Sequence, residues 1–264
     1  MNFTTEQHWQ HFAEFSQLKL DIGEPTPHLQ MLGTFLKSGS LERRLWRVGC
    51  YAAVYNITMG EILWDSLEPR AGPAKTIAWL RQEWPRIKIH TMRRCVRTPE
   101  KLTTFLSDYA VWVQEEAPRL LATYADYEAF WDSLERVKYL GRYIAIRIIE
   151  AFYRYLGQSQ LALRDIRAIG GWSPRRMLAY LFPAEENALL HGGNGPSTVA
   201  LIDHLADEAI TRFHADYDLQ LTHFLFATLL CEYREACESG KRYPGRTHDE
   251  QLQQYYELAA LWPE

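Results

Sequence analysis

VKYLGRYIAIRIIEAFYRYLGQSQLALRDIRAIGGWSPRRMLAY, Val137 to Tyr180, is the stretch whose reading decides the fold. It opens on a short Leu-Gly turn, where Gly141 lets backbone approach closely, and runs on into a strongly apolar helix. A lone acid, Asp165, follows in a polar connector. A second helix is predicted from Ser173 and Pro174, preferred types for the cap and first helical position. Arg175 and Arg176 fall in its first turn, and guanidinium groups beside unpaired helix N–H groups suit a phosphate.

Outward from this stretch the pattern stays helical. Thr4/Thr5 to Leu20 reads as an amphipathic helix with Trp9, Phe12 and Phe15 on its apolar side, and Asp21 to His28 breaks it with two prolines. A short helix spans His28 to Lys37. Ser40 caps a long one, LERRLWRVGCYAAVYNITMGEILWDSL, apolar around most of its circumference and so expected to be central. Further helices are expected over Ala74–Trp84, from Thr98-Pro99 to about Thr123 with a bend or stop at Pro118, and over Ala125–Glu135. After Tyr180 a glycine-bearing loop, His191 to Pro196, precedes a helix to about His214. Asp218–Ser239 forms another helix, Lys241–Arg246 a basic turn, and Thr247 opens the last helix. No alternating strands stand out. The reading is an all-α, multi-helix globular fold: one domain over 1–264, with sub-lobes at about 1–123 and 124–264.

The 264 residues suffice for a substantial core, and 47% hydrophobic with 23% charged residues is ordinary for a soluble globular chain. The net charge of −4 argues against indiscriminate nucleic-acid binding, although local patches, not totals, set the field a phosphate feels. Four cysteines without a CxxC pair or a nearby His argue against structural zinc and suit a reducing, cytoplasmic setting. The scattered His and the lack of an HExxH motif suggest no metal and no cofactor. No apolar run nears a membrane span, and no signal-peptide pattern is seen.

The arginines carry the chemistry. Arg43 and Arg47 share a helix face. Arg93, Arg94 and Arg97 sit in the irregular stretch before Thr98, and Arg142, Arg175 and Arg176 belong to the central stretch. Each cluster alone reads first as a solvated face with surface pairs. Several such clusters in an acidic chain suggest that some converge on phosphates, which guanidinium forks match in pairs. Asp165 reads either as a cap for the next turn or as a functional acid. The loop HGGNGPST lacks the Lys of a P-loop and follows no strand, so it reads as a helix-start turn. Trp46, Tyr51 and Tyr55 fall on helical spacing and read as core; Trp172 is the ring most readily placed against a base.

A turn of the form Leu-Gly-x-x-x-Ala before a buried helix, with an Asp some twenty residues on, resembles the helix-hairpin-helix DNA glycosylases. In that family the hairpin amides hold a DNA phosphate and the Asp faces an extruded nucleotide. Here the turn is YLGRYIA, Tyr139 to Ala145, and Tyr143 stands where the second hairpin glycine would be. A resemblance over more of the chain rests on RLWRVGCYAAVYN (Arg44–Asn56), HTMRRCVR (His90–Arg97), YLGRYIAIRIIE (Tyr139–Glu150), DIRAIGGWSPRRMLAYLFP (Asp165–Pro183) and LCEYREACESGKRYPGRTHDEQL (Leu230–Leu252). These stretches look like the bacteriophage amino acid:DNA transferases, the α-glutamyl/putrescinyl-thymine pyrophosphorylases.

That resemblance implies distant kinship with helix-hairpin-helix glycosylases and hypermodification of thymine in phage DNA, in the host cytoplasm during infection. A partner DNA base kinase converts 5-hydroxymethyluracil to its pyrophosphate ester, and the transferase replaces pyrophosphate with an amino acid or polyamine amine. Arg93, Arg94 and Arg97, supported by Arg43 or Arg47, would neutralise the leaving group. Asp165 or Glu150 would take the proton of the incoming amine. Arg142, Tyr143, Trp172, Arg175 and Arg176 would meet DNA, while Arg234, Lys241, Arg242 or Arg246 would hold the donor carboxylate or the DNA backbone. Two rivals stand beside this reading. One is a glycosylase or silent damaged-base binder that needs Asp165 but not the Arg93 patch. The other is a helical interaction protein whose arginines merely pair with its acids.

Overall fold

The computed structural model describes residues 3–21, 27–87, 89, 96–162, 172–193, 195–239 and 253. Among these every regular element is helical, as the periodicity predicts. They fall into two compact units that divide near residues 26 and 162, not at 123. The first helix groups with the last four, and the middle of the chain forms the other unit. The expected sub-lobe boundary is therefore corrected. The helix over 141–155 packs on the helices over 27–35 and 41–54, the Trp112 ring meets Phe130 and Ser133 of the helix over 127–135, and the N-terminal helix takes its partners from the later part.

The middle unit comprises α2 (Pro27–Phe35), α3 (Leu41–Val54), α4 (Ile57–Ser66), α5 (Pro73–Glu83), α6 (Pro99–Val111), α7 (Ala117–Ala122), α8 (Tyr127–Glu135) and α9 (Gly141–Tyr155). Helix α3 is its centre, packing on α2, α4, α6 and α9. Val48, Cys50, Ala53 and Val54 of α3 are wholly buried. Ser40 caps α3 through the Arg43 N–H, as expected. The long central helix is in fact two. Tyr55 turns left-handed at φ 53°, and the Asn56 side chain caps α4 by accepting from the Met59 N–H. The apolar run hides this break because both halves are buried, whereas Asn56 was its one polar signal.

Thr98 caps α6 through the Lys101 N–H, with Pro99 behind it. Ahead of Pro118 the helix does not stop. It loosens into a π turn, Trp112–Glu116, in which the Ala117 N–H reaches back to the Trp112 carbonyl. A proline without an N–H breaks the ordinary ladder at Gln114, and the wider turn absorbs the misfit. The core is knitted by polar tips of buried rings. Tyr109 donates to the Leu45 carbonyl at 3.0 Å, Trp46 to the Leu67 carbonyl at 2.8 Å, and Trp112 to Ser133 Oγ at 2.9 Å.

The other unit holds α1 (Thr5–Asp21), α10 (Trp172–Leu181), α11 (Glu186–His191), α12 (Pro196–Tyr217) and α13 (His223–Ser239). Helix α10 is the hub, packing on α1, α11, α12 and α13. Trp9, Phe12 and Phe15 of α1 enter a core completed by Met177, Phe213, Phe226 and Tyr233. The loop after α11 is a helix start, as read: Gly195 precedes Pro196 at the first helical position, and Thr198 Oγ1 donates to the Gly192 carbonyl at 2.8 Å. Helix α13 begins at His223, five residues after the expected Asp218, because Asp218 is left-handed (φ 55°) and closes α12.

Candidate functional site

In the unit of α1 and α10–α13, Arg175 and Arg176 are tied down by partners 18 and 62 residues away, and Arg234 by one four residues away. Arg175 is buried, and its Nη1 donates to the Gly193 carbonyl at 2.5 Å, so α10 grips the glycine-bearing loop that precedes α12. Burial lowers the pKa of this guanidinium. Arg176 Nε donates to Glu238 Oε1 at 2.7 Å and to the Tyr180 hydroxyl at 3.1 Å. Arg234 Nη1 donates to the other oxygen, Glu238 Oε2, at 2.9 Å. One carboxylate of α13 thus meets two guanidinium groups on a partly buried face. Arg176 and Arg234, expected in separate roles, share this one locus.

Beside it lies a cluster that the scattered histidines of the sequence did not reveal. His8 stacks on Tyr180 with ring centroids 4.7 Å apart and planes 2° from parallel. His11 Nδ1 is 3.0 Å from the Tyr233 hydroxyl, and burial pushes the nearby Cys237 thiol up. Burial, reinforced by the neighbouring His11, pushes the His8 imidazole below its ordinary value. The signal was present in the three-residue spacing of His8 and His11, which brings both toward one face of α1. Below them Lys19 Nζ meets Glu232 Oε2 at 2.6 Å in an ion pair almost wholly removed from solvent.

In the middle unit, Arg47 serves the end of α2. Its Nη1 donates to the carbonyls of Phe35 (2.5 Å) and Ser38 (3.0 Å), and burial together with the adjacent Arg43 lowers its pKa. Arg43 and Arg97 are exposed. Glu150 is only 2% exposed; its Oε2 accepts from Arg147 Nη1 at 2.6 Å and its Oε1 from Arg154 Nε at 3.0 Å. A general base needs an open lone pair, whereas both oxygens here are occupied by guanidinium donors. In this geometry Glu150 is the counter-ion of α9. The Arg147 guanidinium lies 6.0 Å above the Tyr55 ring, at the α3–α4 break.

The turn before α9 has two left-handed residues, Tyr139 at φ 60° and Gly141 at φ 59°. A Cβ at Gly141 would meet nothing within 4 Å, so glycine serves the backbone angle there and not a tight contact. For Arg142, Tyr143 and Trp172 the backbone is described as helical, while their side chains lie outside the described atoms. Asp165, Arg93, Arg94, Lys241, Arg242 and Arg246 lie outside the described residues. No three or more His, Cys, Asp or Glu among the described residues are grouped to hold a metal ion. None of the described helices is long and apolar enough to cross a membrane. Comparison with protein-family models, with curated proteins and with solved structures finds no match.

Proposed function

We propose that the chain is an amino acid:DNA transferase acting on 5-pyrophosphomethyl-uracil in phage DNA, downstream of a DNA base kinase in the infected host's cytoplasm. The observation that carries this reading is the resemblance of five separated stretches, above all DIRAIGGWSPRRMLAYLFP, whose helical part supplies the hub α10. In the reaction the donor's amine nitrogen bonds to the exocyclic 5-methylene carbon. The carbon–oxygen bond to pyrophosphate breaks with its electron pair leaving on oxygen, and the amine proton passes to a base. Arg93, Arg94 and Arg97 neutralise the departing pyrophosphate. With Glu150 clamped by two arginines, Asp165 is the preferred base. The meeting of Arg176 and Arg234 at one carboxylate, Glu238, brings two guanidinium groups together and supports a phosphate-facing role for them.

A second reading, a helix-hairpin-helix glycosylase or damaged-base binder, draws support from the left-handed turn at Tyr139–Gly141 that opens α9. One assay separates the two. The protein is incubated with DNA containing 5-pyrophosphomethyl-uracil and a panel of amino acids and polyamines, and the digested nucleosides are analysed by mass spectrometry. An amine adduct is expected. Abasic sites would favour the glycosylase, and unchanged DNA with every donor would count against both.

A further inference from the structure

The middle unit contains a cleft of about 440 Å³, walled by α3, the loop after α4, the start of α5 and the end of α6. None of the residues expected at the active site lines it. Its size lies within the range of small-molecule sites, and its walls are largely apolar, with buried Trp46 and Leu106 beside exposed Pro73 and Val111. Val111 is 53% exposed, an unusual place for a branched aliphatic side chain in a helix whose neighbours are buried. The π turn begins at the next residue. Trp112 and Val113 fill the core, and the looser turn leaves Val111 and Gln114 facing the cleft. Such turns recur where helices are shaped for ligands rather than for packing alone.

The charges of the lining favour a cation. Arg70 is turned to Glu42, with its Nε and Nη2 each 3.4 Å from a carboxylate oxygen, so Glu42 offsets part of its charge. Asp108 accepts through Oδ2 only a long bond, 3.4 Å, from the Lys138 N–H, and Lys138 Nζ is 4.0 Å away. The Glu68 side chain is exposed and has no hydrogen bond or ion pair among the described residues. Ser107 and Gln114 add neutral hydrogen-bonding groups. We propose that this cleft binds a small organic amine: an ammonium group held by Asp108 and Glu68, and an apolar body laid on Leu106, Pro73 and Val111. The site goes beyond the proposed transfer, since it requires neither DNA nor pyrophosphate.

The test uses the full chain, isotopically labelled, titrated with phenethylamine and with 3-phenylpropionate, which carries a carboxylate on a similar body. Saturable amide shifts centred on Ser107, Val111 and Gln114 are expected with the amine, and calorimetry should give binding about tenfold tighter than for the carboxylate. The double variant Glu68→Gln, Asp108→Asn should erase that preference while its melting temperature stays unchanged. Any of four results overturns the proposal: no saturable shift with the amine at millimolar concentration, equal binding of both probes, a preference surviving in the double variant, or shifts centred away from the lining of this cleft.

Discussion

Arg94 and His8 show how differently single residues can be tested here. Arg94→Ala is expected to abolish amine transfer while the far-ultraviolet circular dichroism spectrum and melting temperature stay unchanged; retained activity would remove Arg94 from the proposed pyrophosphate site. His8 gives a pH signature. Burial, then His11, lowers its pKa from the ordinary 6.5, so the fold favours the neutral ring. Its contribution is therefore complete above that value and drains away as pH falls below it towards the folded pKa. Unfolding midpoints measured from about pH 7.5 down to about pH 5 should fall more steeply for the natural protein than for His8→Phe, which keeps the stacking on Tyr180. Parallel curves would show that His8 does not titrate on unfolding. Neither the stacking nor the pairing of Arg176 with Glu238 was legible in the sequence, because the partners lie tens to hundreds of residues apart.

At the scale of elements, helix contacts set the penalties. A Cβ on Gly49 would run into the Tyr109 ring, which is fully buried and anchored to the Leu45 carbonyl, so α3 and α6 approach only because residue 49 has no side chain. Gly49→Ala is expected to destabilise by about 3 kcal/mol, from overpacking, in chemical denaturation. Lys19 and Glu232 join α1 to α13 with 3% and 4% of their side chains exposed. Lys19→Met alone strands a buried carboxylate and should cost about 3–5 kcal/mol, whereas Lys19→Met with Glu232→Leu should restore most of the loss. A double variant as unstable as the single would mean that the pair's hydrogen-bonding surroundings matter more than its charge. Three helix starts were well read: Ser40, Thr98 and the glycine-proline start of α12 act as their residue types predict, whereas α10 begins at Trp172, ahead of the expected Ser173 cap. The break at Tyr55 escaped because a buried apolar run carries no periodic signal on either side of it. The π turn escaped because Pro118 alone announces a bend, not how the backbone accommodates it.

For the whole molecule, helical class was written in the 3.6-residue periodicity, but the grouping of helices was not, since nothing local in α1 says that its apolar face belongs with α10 and α13. Trp9 and Phe12 are essentially inaccessible within that unit. Deleting residues 1–21 should strip the protection of α10 and α13 amides in hydrogen exchange while leaving α3 and α6 amides slow; uniform protection would show that α1 is dispensable. The same discontinuity has a consequence in the cell. About 150 residues separate the end of α1 from the start of α10. At translation rates of about 5–20 residues per second, α1 leaves the ribosome roughly 8–30 s before its partners exist. Throughout that interval Trp9, Phe12 and Phe15 have no native core to enter, while the middle unit can already be folding. The nascent chain therefore offers a long-lived aromatic handle to any holding chaperone.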